Sequence, residues 1–172
     1  MSTEPDLGAL LDEHVAREFV VEDVEATMQT MVAEPYVWHV PSMAGGAGHE
    51  DVREFYATQF IGRMPGDIGI HPVSRTIASG RVIEEIVVEF THDVEMPWIL
   101  AGLAPTGRKV RVPFVVVMGF EGDSIAFERI YWDQASVLSQ IGLLDSSRLP
   151  VSGVEQAERL LELVRRGGNH ES

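Results

Sequence analysis

VRVPFVVVMGFEGDSIAFERIYWD, residues 110–133, is the stretch on which the fold reading turns. β-Branched and aromatic residues dominate 110–120 and 124–132, and Gly122-Asp123 between the two runs is a tight-turn signal. The stretch therefore reads as two long antiparallel strands joined in a hairpin. Upstream, 81–92 has the same texture and follows a turn at Ser79-Gly80, with Ile68, Ile70, Val73 and Ile77 opening an earlier strand. A loop holding Pro97, Gly102, Pro105 and Gly107 connects 92 to 110. Its apolar trio Trp98, Ile99 and Leu100 suits a lid or a partner surface.

Before residue 66 the apolar period is helical. Leu7, Leu10, Leu11, Val15 and Phe19 form one stripe at spacings of three and four. Val24, Met28, Met31 and Val32 continue that spacing and predict a second short helix stopped by Pro35. Residues 36–41 read as a brief extended run, 44–48 as a glycine-rich loop, and Val52, Phe55, Tyr56, Gln59 and Phe60 as a third helix. After the strands, Asp133 leads into a short helix ending near Gly142. Ser152, with Glu155 three residues later, caps a last amphipathic helix at about 153–166 that carries Val154, Ala157, Leu160, Leu161 and Val164. Helices followed by long antiparallel strands predict an α+β fold: a curved antiparallel sheet wrapped over the N-terminal helices as a cone open at one end. No repeat or linker divides the 172 residues, so a single domain is expected, with its core at about 5–145.

Bulk properties narrow the function classes. Hydrophobic residues at 45% and charged residues at 23% are those of a folded globular chain. A formal charge of −14, from 27 acidic and 13 basic residues, repels polyanions, so neither nucleic acid nor an anionic membrane is an expected partner. Apolar runs such as 114–118 are far too short to span a bilayer. With no basic, apolar leader and no cysteine, the expectation is a cytoplasmic protein without disulfides, thiol catalysis or cysteine-bound zinc.

The order of elements, together with Tyr36-Val37-Trp38-His39-Val40-Pro41, Pro105-Thr106-Gly107-Arg108, residues 128–134 and Gln140-Ile141-Gly142-Leu143-Leu144, resembles a known family. It is the SnoaL-like polyketide cyclase branch of the nuclear-transport-factor-2-like superfamily, which also holds ketosteroid isomerase and limonene epoxide hydrolase. The resemblance spans about residues 5–145 and implies an apolar small-molecule ligand between the sheet and the first helices, and a homodimer formed through the sheet. It places the epoxide hydrolase's arginine and two aspartates near Ile86, Val88 and Ile130, which are apolar here and speak against that chemistry. It places His39 where ketosteroid isomerase carries its base and the epoxide hydrolase a water-holding asparagine. It also implies an acid/base aspartate near the end of the last strand, which leaves Glu128 and Asp133 as candidates.

Strand alternation sorts the other residues by face, since i and i+2 point the same way. Glu84, Ile86, Val88, Phe90 and His92 share one face, as do Glu128, Ile130 and Trp132. Trp38, Tyr56, Phe114 and Met118 complete the expected ligand wall, though each would serve equally as ordinary core. His39 reads either as a base working near its usual pKa of ~6.5 or as a core histidine held by a backbone carbonyl. Glu128 reads either as an acid/base group or orienter for His39, or as the partner of Arg111 on the neighbouring strand. For Asp133, helix capping competes with catalysis. His92 is expected at the rim beside Asp93.

His39, His92 and Glu128 could gather a metal, but no His-x-His or His-Glu-x-x-His spacing is present, so neither a metal nor another cofactor is expected. The expectation is a cyclase- or isomerase-type enzyme acting on an apolar carbonyl compound, polyketide- or steroid-like, by general acid–base catalysis. Two alternatives stand beside it: a non-catalytic binding or assembly module, and a hydrolase using water held by His39 and an acidic residue.

Overall fold

A polar side chain starts each of the first two helices. The computed structural model describes residues 5–167. Asp6 accepts a hydrogen bond from the Ala9 amide at 3.1 Å and opens α1 (Leu7–Ala16). α1 runs directly into a wide π-helical turn, Arg17–Val21, which Glu22 leaves with a left-handed φ of 53°. Asp23 caps α2 (Val24–Met28) in the same way, through the Ala26 amide at 3.0 Å.

The expected second helix is shorter than its spacing predicts. α2 ends at Met28, and Met31 and Val32 belong to strand β1 (Met31–His39), where Met31 pairs with Ile125. Pairing and burial in the sheet override a helical period that is only local. Pro35 lies inside β1, between the paired residues Met31 and Tyr36 where the register shifts, a place that tolerates a missing amide donor. The expected loop at 44–48 is also mostly strand, β2 (Ala44–Ala47), antiparallel to β1. A Cβ on Gly45 would stand 1.9 Å from the Val37 carbonyl oxygen, and one on Gly46 2.4 Å from the Asp51 carbonyl carbon. The glycines let β2 slip between β1 and the following helix.

That helix, α3 (His49–Phe55), ends in a second π-helical turn, Tyr56–Phe60. β3 (Gly69–Ala78) and β4 (Arg81–Thr91) follow, then α4 (Pro97–Leu100), β5 (Lys109–Glu121) and β6 (Ser124–Trp132), and finally α5 (Gln134–Gln140) and α6 (Glu155–Gly167). The six strands form one sheet in the order β2-β1-β6-β5-β4-β3, antiparallel except for the parallel pair β1–β6. The fold is the expected mixed α+β architecture, with the helices of the first third against one sheet face.

α4 is the unexpected part of the 93–106 connection. Trp98, Ile99 and Leu100 are buried in the core rather than offered as a partner surface. Among the described residues, no helix is long and apolar enough to cross a membrane.

Candidate functional site

The inner sheet face and the N-terminal helices enclose a cavity of about 120 Å³. Strand alternation supplies its sheet wall: Val37 and His39 from β1, Glu128 and Ile130 from β6, Phe114, Val116 and Met118 from β5, and Glu84, Ile86 and Val88 from β4. Leu11, Val15, Phe55, Phe60 and Trp98 close the other side. The wall is apolar except for a few groups, and those carry the chemistry.

His39 is 3% exposed and ringed by aromatic side chains. Trp98 and Trp132 lie at centroid distances of 5.4 Å, Phe55 at 5.6 Å and Phe60 at 5.8 Å. Its Nδ1 has no hydrogen-bond partner among the described residues. Burial pushes its pKa down to about 4, against the opposing pull of the Glu128 charge. At neutral pH the imidazole is uncharged.

Beside it lies a knot of buried polar groups that joins both π-helical turns to the sheet. His14 Nε2 is 2.9 Å from Glu128 Oε1 and 3.2 Å from Glu18 Oε1. Tyr56 donates its hydroxyl proton to Glu128 Oε1 at 2.9 Å. Behind the ring, the Thr30 hydroxyl donates to the Thr27 carbonyl at 2.6 Å and is left to accept from His14 Nδ1 at 2.5 Å. Burial opposes charge on His14, but the two carboxylates outweigh it and hold the imidazolium with a pKa raised to about 10. Burial raises the Glu18 carboxyl above its usual range, and the neighbouring Glu128 charge adds to this against the pull of His14. Burial works the same way on Glu128, but there the His14 charge and the hydrogen bonds from His14 and Tyr56 prevail and hold it ionised. Burial, with the carboxylates beside it, keeps the Tyr56 phenol protonated.

Of the residues singled out in the sequence, His39, Tyr56, Glu84, Val88, Phe114, Met118, Glu128 and Ile130 all line this one cavity. Glu84 also binds Arg75 Nε at 2.6 Å. The others lie elsewhere. Trp132 is buried behind the wall, stacked on Phe114 at 5.2 Å. Phe90 and His92 are fully buried beyond the cavity's lining, and the expected rim position of His92 is replaced by a contact to Thr106 Oγ1 at 3.2 Å. Trp38 alternates to the outer face of β1 and is 37% exposed. Asp133 accepts from the Ser136 amide and from Gln156 Nε2, each at 3.0 Å; it caps α5 and does not reach the cavity. Arg111 pairs with Glu89, not with Glu128, whose partner is His14.

His14, Glu18 and Thr30 were not singled out in the sequence. A signal for two of them was present: His14 and Glu18 continue the spacing of Leu7 and Leu11, so two polar residues sit on the buried stripe of the first helix.

Residues 11–128 match the SnoaL-like domain family. The chain belongs to that family. No curated protein matches the sequence. The SnoaL-like chain also resembles solved structures in fold. A putative SnoaL-like polyketide cyclase from Jannaschia sp. CCS1 aligns with a TM-score of 0.61 at 16% identity, over 84% of this chain and 100% of that one. A hypothetical protein with a ketosteroid isomerase-like fold from Catenulispora acidiphila, in complex with trimethylamine, gives 0.59 at 18% identity, over 83% and 96%. AclR, a putative hydroxylase from Streptomyces galilaeus, gives 0.59 at 15% identity, over 99% of both chains. At such identities the likeness is one of fold, and function rests on the cavity itself.

Proposed function

We propose that this SnoaL-like protein is a cyclase- or isomerase-type enzyme that takes a compact apolar carbonyl compound and moves a proton α to the carbonyl. The observation that carries the reading is a neutral histidine with an unpartnered ring nitrogen, His39, in the wall of an otherwise apolar cavity that also holds Glu128. His39 takes the α proton through its free lone pair, and the Glu128 carboxylate stabilises the imidazolium that forms. Burial raises the Glu18 carboxyl above its usual range, and in its protonated form it donates a hydrogen bond to the carbonyl oxygen as charge develops there. Tyr56 and His14 hold Glu128 in place. Size sets the substrate class: about 120 Å³ is close to the ~150 Å³ cavity that accepts benzene, so a single-ring enone or diketone fits better than a fused polycycle.

The test is deuterium incorporation. Wild type and His39→Gln are incubated in deuterated buffer with a panel of cyclohexenones, cyclic diketones and lactones, and the compounds are weighed by mass spectrometry. A compound that gains deuterium α to its carbonyl only with the wild type supports the reading. A compound that raises the Tm of both proteins and emerges unlabelled moves the assignment to a binding module.

The outer sheet face supports self-association. Val115 and Tyr131 are exposed there as a register pair across β5 and β6, and Ile83, opposite Val117 on β4, is exposed two residues further along the same face. A homodimer through this face predicts a light-scattering mass twice 19.0 kDa for the wild type, reduced to one chain by Val115→Glu.

A further inference from the structure

We propose that His14, Glu18 and Glu128 form a binding site for a divalent transition-metal ion, with an open coordination position towards the apolar cavity. One ligand atom from each residue lies within 4.8 Å of the others, and all three residues are buried. His14 Nε2 stands 2.9 Å from Glu128 Oε1 and 3.2 Å from Glu18 Oε1. Donor atoms bound at about 2.1 Å in tetrahedral or octahedral geometry lie about 3.0–3.4 Å apart, so both edges already have the length such a site needs.

The surroundings prepare His14 as a ligand. Its Nδ1 proton is taken by Thr30 Oγ1, itself fixed by the Thr27 carbonyl, which aims Nε2 at the two carboxylates. A fixed partner on the far ring nitrogen is the usual support of a metal-binding histidine. Glu18 and Glu128 line the cavity, while His14 lies behind them, fully buried. An ion held by the three would meet the cavity on its open side.

A separate feature of the cavity also asks for a ligand. His39, 3% exposed, lines the same cavity, and its Nδ1 has no partner among the described residues. Trp98 Nε1 on the same cavity is also without a partner among the described residues, as are His92 Nε2 and Trp132 Nε1 beyond it. A water or carbonyl oxygen bound to the ion would be a polar partner in an otherwise apolar chamber.

Charge points the same way. His14 stands between two buried carboxyl groups, and the charges of the three do not cancel when all are ionised. A divalent ion with a neutral imidazole and two carboxylates is neutral as a whole. Binding would displace the proton that His14 Nε2 shares with the two carboxyl groups. One nitrogen and two carboxylate oxygens suit Zn²⁺, Mn²⁺ or Fe²⁺ rather than a thiophilic ion. The ion would take up Glu18 and Glu128, which the isomerase reading also uses, but its binding is measured without any substrate and so is tested separately from that reading.

The experiment titrates the chelator-stripped full chain with Zn²⁺ by calorimetry, in two buffers of different ionisation enthalpy. Saturation at one ion per chain, with proton release and tighter binding at pH 8 than at pH 6, is expected. His14→Gln and Glu128→Gln each weaken binding at least ~10-fold, while Glu162→Gln on exposed α6 leaves it unchanged. No saturable binding, or variants that bind as the wild type does, overturns the site. Because removing a buried charge can unfold the chain, wild type is also loaded with Co²⁺. A Co²⁺ band shifted or strengthened relative to the aqua ion, saturating at one ion per chain, supports the site, and a spectrum that stays additive with the aqua ion throughout the titration refutes it.

Discussion

His39 should make the protein acid-sensitive by an amount its burial sets. Its pKa falls from 6.5 to about 4 on folding, with burial as the cause and Glu128 opposing. A histidine with a lowered pKa stabilises the fold fully above 6.5, and the contribution drains away as pH falls towards 4, because the unfolded chain takes up the proton first. At pH 7.5 the loss is negligible, and at pH 5.0 it reaches about 2 kcal/mol from this residue alone. The clean comparison is His39→Phe, which keeps an aromatic ring among Phe55, Phe60, Trp98 and Trp132 and removes the titration. Urea unfolding of both proteins at pH 7.5 and 5.0 gives four free energies. The repacking cost of the substitution appears equally at both pH values and cancels. The wild type should therefore lose about 2 kcal/mol more than the variant on acidification. Parallel losses would mean that His39 is hydrated or already paired, and the argument for an unpartnered neutral base would fall with it.

His14 runs in the opposite sense. Its pKa rises from 6.5 to about 10, so its stabilisation is complete below 6.5 and is lost as pH climbs towards 10; Tm should fall from pH 7 to 10 in the wild type and less so in His14→Gln, as differential scanning calorimetry would show. Asp133→Ala should cost ~1 kcal/mol in chemical denaturation through the lost cap of α5, while leaving α-deuteration unchanged; a collapse of exchange with an intact fold would return Asp133 to the catalytic set. Gly119→Ala should destabilise by ~1–3 kcal/mol, because its Cβ would stand 2.1 Å from the Phe127 ring, which is stacked on Tyr36 and covered by Arg129; an unchanged urea midpoint would show that the ring moves aside freely.

The long strands were legible because their residues are β-branched over whole segments and the turn between them is chemically distinct. The residues at 81–92, 110–120 and 124–132 fall within one residue or so of β4, β5 and β6. β1 and β2 were harder to see. Met31 and Val32 extend a helical spacing begun at Val24, and only the distant partner Ile125 makes them strand. Gly45 and Gly46 read as loop residues because nothing local says that a carbonyl and a helix press against them. Strand alternation placed Glu84, Glu128 and Ile130 on the inner face, but could not say where the cavity ends, which is why Phe90 and His92 lie beyond it. His14 and Glu18 share a stripe with Leu7 and Leu11, so the spacing by itself reads as apolar packing and hides a buried polar pair. Their meeting with Glu128, 114 residues away from His14, is a fact of topology that no local pattern contains.

That separation also bears on how the chain is made. β1 pairs in parallel with β6, so the strand carrying His39 cannot join the sheet until the last strand exists. During synthesis, the first three-quarters of the polypeptide leaves the ribosome with β1 lacking its parallel neighbour and His14 lacking Glu128. Closing so large a loop is slow, since its entropy is lost before any contact repays it. The cavity is then among the last parts of the molecule to form, and a nascent chain arrested before Glu128 would hold helices and hairpins but no binding site.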